Sequence, residues 1–142
     1  ERARVSGVEV QLFEVANPAA LAPAFAALAR ARMQAVTDVP DPMMLDQRKQ
    51  IVELAARHRL PAVYESSPFV DAGGLIAYGP NYAELSRRAA VYVDKILKGA
   101  KPGDLPVEFP IKFELVVNMK TAKELGIAIP QSVLLRADRV IE

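Results

Sequence analysis

The chain has 142 residues, 51% hydrophobic and 25% charged, and 18 Lys and Arg against 17 Asp and Glu leave a formal charge of +1. That length and balance fit one compact domain, and the near-neutral charge argues against nucleic-acid and anionic-membrane partners, which require a strong positive field. Cysteine is absent, which excludes disulfides, thiol nucleophiles and thiolate metal sites, and no apolar run approaches the roughly 20 residues of a membrane-spanning helix.

The chain begins at Glu1 rather than Met and enters a strand-like segment at once, so the start reads as cut, with any targeting segment upstream. Val8, Val10 and Leu12 alternate with Glu9, Gln11 and Phe13, which predicts a half-buried strand over Val8–Val15. Asn17-Pro18 then supplies an N-cap and first-turn proline, and Leu21, Phe25 and Leu28 form the apolar face of a helix ending at Arg30 and Arg32. The cycle repeats. Ala35–Val39 is β-prone, Asp41-Pro42 is a second cap, and Leu45, Ile51, Val52, Leu54 and Ala55 make a helical stripe ending near His58.

Leu60–Tyr64 predicts a strand, and Leu75–Tyr78 another after the turn at Asp71-Ala72-Gly73-Gly74. A long helix follows from Tyr82 to Lys98, stopped by Gly99. The alternation of strands and helices implies an α/β domain with a parallel sheet flanked by helices. Beyond a proline-rich link at 101–110, Phe113–Val117 predicts a final strand, and Asn118 caps a short helix ending at Gly126. The tail from Pro130 to Glu142 reads as a further helix, with Val133, Leu134, Ala137, Val140 and Ile141 on its apolar side.

Little in this pattern supports catalysis. His58 is the only histidine; between Arg57 and Arg59 at a helix end, it reads as a surface residue favoured by the helix dipole. Gly73-Gly74 lacks the spacing of a phosphate loop and reads as a turn. No catalytic residue, metal ligand or cofactor is assigned. Asp38, Asp41, Glu65 and Ser66 fall at or just after the C-terminal ends of predicted parallel strands, the edge where open α/β sheets collect ligands. Asp41 also fits a plain helix N-cap, and Glu65-Ser66 a solvated loop. Tyr78-Gly79-Pro80-Asn81 offers an aromatic face and a hydroxyl at a sharp change of direction. Asn81 with Glu84 also fits a capping box.

The second half carries longer and more specific strings. Gly73-Gly74-Leu75-Ile76-Ala77-Tyr78-Gly79-Pro80-Asn81-Tyr82-Ala83-Glu84-Leu85 is followed by Val91-Tyr92-Val93-Asp94-Lys95-Ile96-Leu97-Lys98-Gly99-Ala100-Lys101-Pro102 and by Leu105-Pro106-Val107-Glu108. Lys112-Phe113-Glu114-Leu115-Val116-Val117-Asn118, Thr121-Ala122-Lys123, Leu125-Gly126 and Leu135-Arg136-Ala137-Asp138 complete the series. In this order they resemble the C-terminal part of a family of ABC-transporter substrate-binding proteins that includes tryptophan- and aromatic-amino-acid-binding members.

The resemblance implies a type I periplasmic-binding fold, in which two α/β lobes close on a small solute. This chain would be the C-terminal lobe, with the N-terminal lobe absent: residues 1–78 and 111–142 form the ligand-binding lobe, and residues 79–110 a crossover segment. Its long helix would pack on the other lobe through Leu85, Ala89, Tyr92, Val93, Ile96 and Leu97, so copies of the fragment alone would self-associate through Tyr82–Lys98. The resemblance further implies solute capture for an ABC permease outside the cytoplasm, in the periplasm or anchored to the membrane, with no enzymatic activity.

Ligand contacts would fall at Asp38, Asp41, Glu65, Ser66, Tyr78 and Asn81. Val39-Pro40-Asp41-Pro42 stands where the aromatic-amino-acid binders carry a Thr-Asp-Asn-like run, and Asn81 lies where they carry a nearby Asp. The ligand therefore stays open among amino acids, aromatic acids and other small organic solutes. A ligand-sensing regulatory domain of the same fold is the alternative, and an α/β enzyme a weaker third.

Overall fold

The computed structural model describes residues 7–142; residues 1–6, which open the expected lobe segment 1–78, lie outside it. The first regular element is a 3-10 turn, Pro18–Ala20, capped by the Asn17 side chain, which accepts from the Ala20 N–H at 3.2 Å. It leads into α1 (Leu21–Arg30), whose Leu21, Phe25 and Leu28 are buried as their spacing predicts. β1 (Val36–Thr37) is followed by α2 (Pro42–Asp46), α3 (Arg48–Arg57), β2 (Ala62–Tyr64), α4 (Ser67–Asp71) and β3 (Ile76–Pro80). The long α5 (Tyr82–Leu97) comes next, then a 3-10 turn at Pro102–Asp104, β4 (Phe113–Asn118), α6 (Met119–Leu125), α7 (Gln131–Leu134) and β5 (Arg139–Ile141).

The five strands lie side by side in sequence order. β1, β2 and β3 are parallel, β4 runs antiparallel to β3, and β5 is parallel to β4. The sheet is thus mostly parallel and flanked by helices, with one reversal that the strand-helix alternation does not predict. Successive right-handed crossovers that advance in one direction lay their helices on one face. Accordingly α3 and α4, which lie in the crossovers between β1, β2 and β3, share a single core with Ala62, Tyr64, Ala77 and Val116, to which α1 adds Leu21, Phe25 and Leu28. Phe69, 0% exposed, stacks on Tyr64 at the centre of that core, with ring centroids 4.7 Å apart. On the opposite face Val63 and Tyr78 are exposed.

Five further features differ from the sequence reading. Val8–Val15 is not a strand: among the described residues it has no ladder partner, and a strand requires one. Its faces are also inverted, for Phe13 and Val15 pack on the core while Val8, Val10 and Leu12 are exposed. The tail is a four-residue helix plus a strand rather than one helix. Asp138 causes the change: its N–H donates to the Leu115 carbonyl and its Oδ2 accepts from the Leu115 N–H, each at 2.8 Å, which docks Arg139–Ile141 against β4.

Between β2 and β3 lies a short helix, α4, where the sequence suggested only a connection. The capping box at Asn81 is half formed: Asn81 Oδ1 accepts from the Glu84 N–H at 3.0 Å, but the Glu84 carboxylate pairs with Arg87 at 2.9 Å. The caps at Asp41 and Asn118 form as expected, and Gly126 adopts the left-handed conformation that ends α6. His58 caps α3 half-buried, its ring stacked on Phe25 rather than standing free.

Candidate ligand-binding site

Three parallel strands end together, and the polar groups at those ends are joined by a chain of contacts. Asp38 follows β1 directly, and its Oδ1 accepts from the Glu65 N–H, just after β2, at 3.1 Å. Glu65 in turn lies against the end of β3, where a Cβ on Gly79 would overlap the Glu65 carbonyl oxygen. Only glycine allows that approach. The Glu65 carboxylate is held at both oxygens: Oε1 accepts from the Ser66 hydroxyl at 3.0 Å and Oε2 from the Tyr82 hydroxyl at 2.9 Å. Ser66 is itself buried.

Asp38 Oδ2 is left over. It is buried and has no hydrogen-bond partner, a state that costs on the order of 1–3 kcal/mol in free energy unless a donor arrives. Burial pushes the Asp38 carboxyl up to about 6, against the opposing pull of the Glu65 N–H and with a smaller upward push from the Glu65 charge. Burial likewise raises the phenol of Tyr64, with Asp38 adding to the effect, so Tyr64 stays neutral.

Of the residues expected from sequence, Asp38, Glu65 and Ser66 are brought together. Asp41 is exposed, and its Oδ1 is committed to the Met43 N–H at 2.8 Å, the capping role. Tyr78 stands on the open face of β3, 58% exposed, stacked on Phe113 with centroids 5.6 Å apart. Asn81 caps α5 and donates its backbone N–H to the Lys112 carbonyl at 3.2 Å, which pins the start of α5 to the chain entering β4. Tyr82 was not singled out from sequence. The only available signal was its place one residue beyond the Tyr78–Asn81 turn, because a contact with Glu65 spans 17 positions.

The long helix behaves differently from the sheet and its core helices. None of its residues is buried. Leu85, Ala89, Tyr92 and Ile96 border a groove whose other wall is Pro102, Leu105, Pro106 and Phe109, so the returning chain covers part of the face expected to await another lobe. The Tyr92 hydroxyl donates to the Pro106 carbonyl at 2.7 Å, and Arg88 pairs with Glu108. Val93 and Leu97 remain exposed. Among the described residues no cluster of metal-ligating side chains occurs, and no helix is long and apolar enough to cross a membrane.

The model of one protein family, described as ABC transporter substrate binding protein, matches residues 1–141. The chain belongs to that family. A solved structure from Streptococcus pneumoniae, an ABC domain in complex with L-Trp, superposes with a TM-score of 0.89 at 29% identity, over 98% of this chain and 48% of that one. A conserved domain protein from Vibrio cholerae gives a TM-score of 0.90 at 26% identity, over 97% of this chain and 46% of that one. Among curated proteins, a tyrosine-binding protein of Clostridioides difficile is 25% identical over 85 residues, 60% of this chain and 25% of its own length. The family member described here thus spans about half the length of these solved relatives, and its match to the curated one covers a quarter of that protein.

Proposed function

We propose that this family member captures a small organic solute, an amino acid or an aromatic compound, at the C-terminal edge of β1–β3, and that it does so as the binding component of an ABC-type importer. The observation that carries the reading is the buried, unpartnered Oδ2 of Asp38 at that edge. A donor on the solute would satisfy it, and the exposed ring of Tyr78 offers a stacking surface nearby on β3. Two similar proteins whose descriptions name tryptophan and tyrosine support the solute class.

In this reading residues 1–78 and 111–142 are the ligand-binding lobe and residues 79–110 are the crossover toward a second lobe, which would supply the opposite wall of the cleft. Asp38, Glu65, Ser66, Tyr78 and Asn81 face the solute, and Asp41 shapes the loop between β1 and α2. Closure of the lobes would favour the permease-binding form through its higher affinity for solute. The protein would work outside the cytoplasm and perform no chemistry, and the 142-residue chain alone would self-associate through α5 and its exposed apolar neighbours.

Thermal-shift screening of the natural full-length protein against amino acids and aromatic acids tests the reading. At least one compound should raise the melting temperature, and Asp38→Ala should abolish that rise. A flat response across both sets overturns it.

A further inference from the structure

The helix α5 is joined to the lobe at its first turn, and the join passes through the candidate site. Among the described residues, the hydrogen bonds of α5 side chains beyond their own helix go to Glu65, from Tyr82, and to the 106–108 segment, from Arg88 and Tyr92. Of these, only the Tyr82 bond reaches a strand end of the lobe. The Glu65 backbone is fixed on both sides: its N–H donates to Asp38, and its carbonyl lies so near Gly79 that a Cβ there would overlap it. Its carboxylate is set by two donors, one from the lobe and one from the helix.

From this geometry we infer that Tyr82 is a positioning residue: it aims the Glu65 carboxylate and, through the same bond, tethers α5 to the solute site. Glu65 Oε2 accepts from the Tyr82 hydroxyl in this state, so a group that displaces that hydroxyl from the oxygen removes the side-chain tether, while the Asn81 backbone bond to Lys112 still holds the start of the helix. A solute donor that takes the place of the Tyr82 hydroxyl would thus loosen the crossover helix on binding. The importance of that link for solute capture rests on the proposed function, whereas the tether itself does not.

A double-mutant cycle on the 142-residue chain, without solute, tests the tether separately from solute binding. Tyr82→Phe and Glu65→Ala should each speed hydrogen exchange at the amides of residues 85–88 about fivefold, the equivalent of one exposed hydrogen bond. The double variant should be no faster than either single one, and amides in β3 and β4 should not change. Glu65→Gln, which keeps an acceptor but removes the charge, should retain most of the protection. It should also lower the Tyr82 phenol pKa, raised in the native chain by burial and by the Glu65 hydrogen bond and charge. Additive effects in the double variant, unchanged exchange in Tyr82→Phe, or a Tyr82 titration unmoved by Glu65→Gln would each overturn the inference.

Discussion

The sheet with its packed helices and the 81–112 arm contain similar apolar side chains and use them in opposite ways. Every fully buried hydrophobic residue among those described lies in 21–77 or 116–122, and the arm has none. Yet α5 is as plainly amphipathic in sequence as α1, and Val107, Phe109 and Ile111 alternate like a strand while standing exposed. Periodicity marks which side of an element will be buried. It does not reveal whether the surface that buries it belongs to the same chain.

Substitutions sharpen this contrast. The largest effect is expected in the core: Phe69→Ala removes the ring stacked on Tyr64 and should destabilise the lobe by about 4 kcal/mol in denaturant melts. Gly79→Ala, at the junction of the two regions, forces the β3 end away from the Glu65 carbonyl and should cost about 3 kcal/mol. If it is neutral instead, the three strand ends are not locked together as described.

Asp38 gives a smaller, pH-dependent effect. Its folded-state pKa of about 6 lies above the reference value of 3.8, so between these values the folded chain holds a proton that the unfolded chain has released. This group's contribution therefore favours the folded state at low pH and declines as pH rises toward 6. With screening of a partly exposed group, the change is on the order of 1 kcal/mol. Asp38→Asn should remove that slope and leave the chain more stable at pH 7, which melts across pH 4–7 would detect. The smallest effect on stability belongs to the arm: Phe109→Ser, at a residue 80% exposed, should stay within about 0.5 kcal/mol of the native chain. Light scattering should nonetheless show weaker self-association, and an unchanged apparent mass would remove this residue from the proposed contact.

The parts legible in sequence were those set by local chemistry. The caps Asn17, Asp41, Asn81 and Asn118 each satisfy a backbone N–H two or three residues ahead, so a few letters suffice to place them. The stripes of α1 and α3 were equally direct. What failed was pairing. Whether Val8–Val15 finds a neighbour, whether β4 runs up or down, and whether Arg139–Ile141 joins the sheet depend on residues far along the chain. The candidate site divides in the same way: Asp38, Glu65 and Ser66 follow from the rule that polar groups gather at strand ends, but Tyr82 enters only because the first turn of α5 brings its hydroxyl to Glu65, 17 positions away.

The reversal at β4 also bears on how the chain could be reshaped. Pro80 stands opposite Phe113 on neighbouring antiparallel strands, so residues 81–112 are, in connectivity, the loop of a hairpin. Loop-closure entropy grows only slowly with length, and a two-residue Asn-Gly turn joins such strands equally well. A chain shortened in that way would keep every buried side chain of the lobe and lose Phe109 together with Tyr82. The arm is thus an insertion that could be excised, and the shortened lobe would present Glu65 without its tether.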